Sequence, residues 1–91
     1  MPKPPERIAV VGWGSLSPLG DDADSTWAAV CARQSGIQTI QEPWAEDLNV
    51  RIAGRVAETA FAELEPLLRR RADRCAQLAL LAGRQAWAMA E

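Results

Sequence analysis

The 91-residue chain is 48% hydrophobic and 24% charged, the composition of one small globular domain and not of a disordered segment. Twelve acidic against ten basic residues give a net charge of -2, which leaves no electrostatic footprint for nucleic acid. With no histidine, the chain has no Ser-His or Cys-His pair, and its two cysteines, Cys31 and Cys75, lie far apart without CxxC spacing, so neither the usual nucleophile pairs nor a zinc site is expected.

Residues 1–6 read as a flexible, proline-rich lead-in. Residues 1–7, MPKPPER, lack the apolar core of a secretory signal, and no run reaches the roughly 18 apolar residues of a membrane span. The cysteines form no disulfide framework, so a reducing cytoplasm, away from membranes, is the expected compartment. Residues 8–11, IAVV, are consecutively apolar and predict a short strand buried on both faces. The stretch that follows, GWGSLSPLG, fails the dinucleotide fingerprint because Ser17 stands where the third glycine belongs and the next helix starts too late. Neither Ser15 nor Ser17 has the flanking glycines of a nucleophile elbow. A strand ending in a tight turn over residues 17–20 is the expectation, with Pro18 fixing φ and Gly20 supplying a positive one.

A helix is predicted after Asp22, its N-cap, with Asp24 in the first turn. Ala23, Trp27, Val30 and Cys31 share one face, and Gly36 is read as the glycine that closes the helix. Residues 38–49 read as an irregular connection broken by Pro43. Residues 50–56 alternate, with Val50, Ile52, Gly54 and Val56 on one side and Arg51, Ala53 and Arg55 on the other, which predicts a half-exposed strand. Phe61 and Leu64 fit a short helical turn before Pro66. A long helix is predicted over residues 73–90, with Asp73, Gln77 and Arg84 on a narrow polar stripe and Arg74 and Gln85 beside it. Such a helix needs cover on most sides, and the remaining residues offer little.

Three features invite a chemical reading. Cys31 and Cys75 lie among apolar neighbours and read as small buried hydrophobes. The tryptophans, Trp13, Trp27, Trp44 and Trp87, are dispersed and read as packing residues in a core or interface. Arg69, Arg70 and Arg71, with Arg74 one turn on, form the one dense basic patch. Cations there oppose the dipole of the following helix, a placement that an acidic or phosphorylated partner would explain; a solvated helix end is the plainer alternative.

In order, these pieces are a strand ending in VGWGSLSPLG, a helix with DSTW closing in QSGI, the strand VRIAGRV, and a basic run into ADRCAQLALLA. The order and spacing resemble the amino-terminal segment of a β-ketoacyl-acyl carrier protein synthase, more narrowly the elongating enzymes of fatty-acid synthesis and related polyketide ketosynthases. The likeness runs over residues 7–89. It departs at Val11, where the family commonly has threonine, and at Cys75, where a larger residue is common. The resemblance implies a thiolase-like α/β/α/β/α sandwich, normally a homodimer, of which residues 7–91 would be an incomplete first part. It implies an acyltransferase that condenses malonyl-acyl carrier protein with an acyl thioester, using a cysteine and two histidines that do not occur here; on this reading the chain is a fragment, inactive alone, with no catalytic residue, no metal and no cofactor beyond the carrier's pantetheine. It also implies that Arg70 and Arg71, and less directly Arg69, dock the acyl carrier protein. Two alternatives are a non-condensing partner subunit of a polyketide ketosynthase, and a small binding module using its arginines on an acidic partner.

Overall fold

A computed structural model describes residues 2–91; Met1 of the lead-in lies outside the described residues. Helix α1 (Ala23–Cys31) is followed by strand β1 (Ile37–Thr39), a 3₁₀ helix (Pro43–Asp47), strand β2 (Ile52–Gly54) and a second 3₁₀ helix (Glu58–Glu63). The short helix α2 (Pro66–Arg71) and the long helix α3 (Arg74–Ala90) complete the order. β1 and β2 pair antiparallel, with Ile37 opposite Gly54, Gln38 opposite Ala53 and Thr39 opposite Ile52. The chain is thus a small α/β assembly with a two-stranded sheet.

Its helix starts follow from local chemistry. The Asp22 carboxylate accepts from the Ser25 amide at 2.8 Å, and the Ser25 hydroxyl accepts from the Asp22 amide at 3.3 Å, a reciprocal cap. The Ser25 hydroxyl, and then its amide, hold the Asp22 carboxyl below its ordinary value. Asp73 caps α3 in the same manner through the Ala76 amide at 2.8 Å. The helix α1 does not close at Gly36. Arg33, at φ 59°, takes the left-handed position, and the amides of Gln34 and Arg33 return to Ala29 and Val30 carbonyls at 3.0 Å each. Gly36 serves instead as a point of close approach, since a Cβ there would stand 2.6 Å from the Pro18 Cβ.

The expected turn over residues 17–20 is present, closed by Ser17 and Gly20 amide–carbonyl bonds of 2.9 and 3.2 Å. Its glycine is not left-handed, because no glycine of the described residues has positive φ. The glycines at 12 and 14 matter for space. A Cβ on Gly12 would strike the Ala86 carbonyl of α3, and one on Gly14 would strike the Ala82 carbonyl one turn earlier. The segment therefore lies with its backbone directly against α3.

The core is small. Phe61, Leu64 and Leu81 are buried together, with Leu16, Val56 and Leu78 packed against them. Phe61 lies within the second 3₁₀ helix and Leu64 caps its end, the short helical turn that their spacing predicts. The Cα radius of gyration is 17.8 Å, against about 12 Å for a compact chain of this length.

Several expectations are corrected by that shortage of core. Residues 8–11 form no strand, and Ile8 and Val10 are 91% and 78% exposed, because no other strand lies beside them to accept their ladder bonds. The apolar side of residues 50–56 is also largely open, with Val50 and Ile52 exposed and only residues 52–54 in a strand. The connection over residues 38–49 is more ordered than expected, since it contains the end of β1 and a 3₁₀ helix begun by Pro43. All four tryptophans are more than half exposed, and Cys31 and Cys75 are exposed free thiols. On α3 the expected solvent stripe is partly inverted. Gln77 is buried and Gln85 half-buried, while Leu80 and Trp87 face outward. The glutamines turn inward because they bond backbone groups there, as described below.

Two measurements follow. Gly14→Ala should lower the urea midpoint of the helical signal, at a cost of about 1–3 kcal/mol, because backbone must move. Gly83→Ala, where a Cβ meets nothing within 4 Å, should raise it by about 0.5–1 kcal/mol through helix propensity. Equal effects of the two changes would contradict the close approach of residues 12–14 to α3. Alkylation in native buffer without reductant should add a label at both Cys31 and Cys75, read by intact mass; protection of either thiol until denaturant is added would contradict its exposure.

Candidate functional site

The one sequence feature that suggests recognition is the arginine run, and its setting differs from the expected one. Arg69, Arg70 and Arg71 do not begin the long helix. They form the last turn of α2, which ends at Ala72 before α3 starts. Cations in a last turn are favoured by the helix dipole. The favourable dipole of α2 thus offsets the opposing one of α3, and Asp73 at the N-cap of α3 adds a carboxylate there.

All three arginines are exposed. At about 100° per residue, three consecutive helical side chains fan around most of the helix, giving a broad positive end and not a single prong. Among the described residues, the three ion pairs use other arginines: Arg55 with Glu42 at 2.7 Å, Arg74 with Glu58 at 2.8 Å and Arg84 with Glu65 at 3.1 Å. Arg74, next in the run, is set apart from the cluster in a further way. Its guanidinium lies 3.8 Å from the centre of the Phe61 ring, so it covers the core. Arg69, Arg70 and Arg71 are left facing solvent without an acidic partner.

The neighbouring ion pairs shape this charge distribution. The Arg55 guanidinium, by its hydrogen bonds, holds the Glu42 carboxyl below its ordinary value of 4.5. Glu65, which precedes α2, is held low by its own backbone amide first and then by Arg84. A carboxyl with a depressed folded value contributes stability above the ordinary carboxylate range and loses it as pH falls through the folded value. At neutral pH both pairs are intact; one joins the residue after β2 to the one that precedes the first 3₁₀ helix, and the other joins α3 to the N-cap of α2. Being exposed, they contribute little beyond orientation.

The residue that sequence reading did not assign is Gln77. Its side-chain amide donates to the carbonyls of Ala72, at 2.8 Å, and Arg69, at 3.3 Å. It thereby caps the end of the arginine helix from the first turn of α3. No pattern in the sequence distinguishes this glutamine from a solvated one. Gln85 does the corresponding work for the opening loop, accepting from the Ser15 amide at 3.0 Å and donating to the Asp21 carbonyl at 2.6 Å.

Among the described residues, no cluster of three or more His, Cys, Asp and Glu residues has the geometry to hold a metal. No helix among them is long and apolar enough to cross a membrane. Neither exposed cysteine has a histidine to activate it, since the chain contains none. The arrangement can present positive charge, and it holds no assembled set of reacting groups.

Comparison with known proteins agrees with the order of motifs. The family model described as "Beta-ketoacyl synthase, N-terminal domain" matches residues 5–91. The chain is 33% identical over 82 residues to 3-oxoacyl-[acyl-carrier-protein] synthase 2 of Mycobacterium bovis, covering 88% of this chain and 20% of that protein. It is 32% identical over 82 residues to the protein of the same name in Staphylococcus aureus strain COL, covering 89% of this chain and 20% of that protein. The chain thus spans about a fifth of the length of the curated relatives it matches. The likeness read from the strand, turn and basic-run motifs is a family relationship: the chain belongs to the β-ketoacyl synthase family and corresponds to part of its amino-terminal domain.

Proposed function

We propose that the chain is the opening segment of an elongating β-ketoacyl-acyl carrier protein synthase, and that Arg70 and Arg71, with Arg69 beside them, dock the acyl carrier protein. In the reaction so assigned, an acyl group passes from its carrier to a cysteine. Malonyl carrier protein then loses carbon dioxide, and the carbanion attacks the acyl thioester. Oxyanion stabilisation falls to positioned donors, two histidines on this reading. Those groups belong to parts of the domain beyond the motifs present here, so residues 1–91 contribute scaffold and docking charge. The pantetheine arm comes with the carrier, and the reading calls for no metal or dissociable cofactor. It places the enzyme in the cytoplasm as a homodimer, apart from membranes and nucleic acid. The fold it assigns is the thiolase-like α/β/α/β/α sandwich, in which residues 8–11 become a central strand with neighbours on both sides.

The observation that carries the docking assignment is the exposure of three arginines without acidic partners at the end of α2. A carrier protein that is acidic around its pantetheine serine would meet this surface with complementary charge, which raises encounter rate and sets orientation. The test is charge reversal in a full-length synthase that carries this segment. Arg70→Glu with Arg71→Glu should weaken carrier binding by on the order of 1–3 kcal/mol, less as salt rises. Turnover of a small acyl-thioester surrogate, which needs no docking, should stay near that of the parent. Equal loss with both substrates would mean that the arginines support the fold instead.

A further inference from the structure

Gln77 is 5% exposed, the one buried polar residue among the described residues. Its Nε2 reaches two carbonyls at the end of α2, while its Oε1 is buried without a partner among the described residues. A buried oxygen without a partner costs free energy, which the bonds made by the nitrogen of the same amide offset. Reversing the amide would satisfy nothing, since it would set the oxygen against the Ala72 and Arg69 carbonyls.

What the fold requires is an end for α2. This helix has six residues, and its N-cap, Glu65, makes no side-chain capping bond. A helix so short is not stable by propensity alone. Its final amide bond, from Ala72 to the Leu68 carbonyl at 2.9 Å, is followed at once by the turn into α3. Gln77 bonds that turn from one helical turn inside α3, and its own amide bonds Asp73 at 2.9 Å. The last carbonyls of α2 are thus held by a side chain whose backbone is fixed in the longer helix. Arg69, Arg70 and Arg71 ride on the turn so held.

We infer that Gln77 is the positioning residue for the arginine cluster, fixing the end of α2 to α3 and so the direction in which the three guanidinium groups are presented. The assignment rests on the docking function proposed above. Gln77 touches no substrate and acts only through the backbone carbonyls of Arg69 and Ala72.

The experiment uses a full-length synthase carrying this segment, compared with Gln77→Met, which keeps length and loses the donor, and with Arg70→Glu plus Arg71→Glu. In the unaltered protein, the Gln77 side-chain amide protons should exchange with solvent more slowly than those of the exposed Gln38 and Gln41; equal exchange overturns the inference without any variant. In Gln77→Met, backbone amides of residues 69–72 should exchange faster. KM for the carrier-borne substrate should rise on the order of 3–10-fold with kcat little changed, and the small thioester surrogate should react as before. Unchanged exchange, unchanged KM, or equal loss with both substrates each overturns the positioning role. If the arginine reversal leaves carrier KM unchanged, the docking reading itself is wrong, and the exchange measurements still report whether Gln77 caps α2.

Discussion

The close contact between the backbone of residues 12–14 and helix α3 governs how the rest of the chain is arranged. Because Gly12 and Gly14 have no Cβ, the opening segment lies against the Ala86 and Ala82 carbonyls, where any side chain would collide. That contact fixes which face of α3 turns inward. Gln85 then meets the Ser15 amide and the Asp21 carbonyl, joining the loop to the helix and placing Asp22 to cap α1. Toward the other end of the same face, Leu81 enters the core and Gln77 receives the end of α2. One approach of backbone to backbone therefore orders the loop, the core and the basic helix along a single line of α3.

Features that depend on near neighbours in sequence were legible. Asp22 and Asp73 cap because their carboxylates need only reach amides three residues on. Phe61 and Leu64 pack because a single turn brings both to one side. The turn at residues 17–20 of the VGWGSLSPLG loop is legible and present, the strand before it is not, and the glycines at 12 and 14 serve close approach to α3. Features that depend on distant groups were not legible. The polarity of Gln85 suggests solvent, yet it turns inward to groups 64 and 70 residues away; Gln77 meets carbonyls only five and eight residues back, which are in reach because the chain turns between α2 and α3. The three-residue strand β1 was missed because Ile37, Gln38 and Thr39 become a strand only by pairing with residues 52–54. The arginines are read against the dipole of the following helix alone, because nothing in their pattern marks residues 66–71 as a helix of their own.

The basic surface illustrates how charge is sorted in a chain that carries more acids than bases. Glu42, Glu58 and Glu65 each take up one arginine, and those arginines lie on β2 or α3 or between them, where orientation of elements is at stake. The run at the end of α2 is spared. It keeps a local positive field on a molecule whose net charge is negative. Such a field is short-ranged at physiological salt, decaying over about 8 Å, so it acts on a partner near contact and contributes little to the fold.

The apolar surface follows a different logic. Ile8, Val10 and Val11, within the apolar run of residues 8–11, are exposed, and Trp87 and Leu80 stand on the outer face of α3. Single exposed hydrophobes are ordinary, but contiguous ones mark surface that is covered when the protein works. Each Å² withdrawn from water is worth roughly 25 cal/mol, so covering a few such side chains rivals the whole net stability of a small domain. The described core of Phe61, Leu64 and Leu81 is small, so such a gain would be large beside it. The apolar run at residues 8–11 is suited to pairing on both edges, and the outer face of α3 to packing against another layer. The layered α/β sandwich proposed above would meet both demands with the same neighbours.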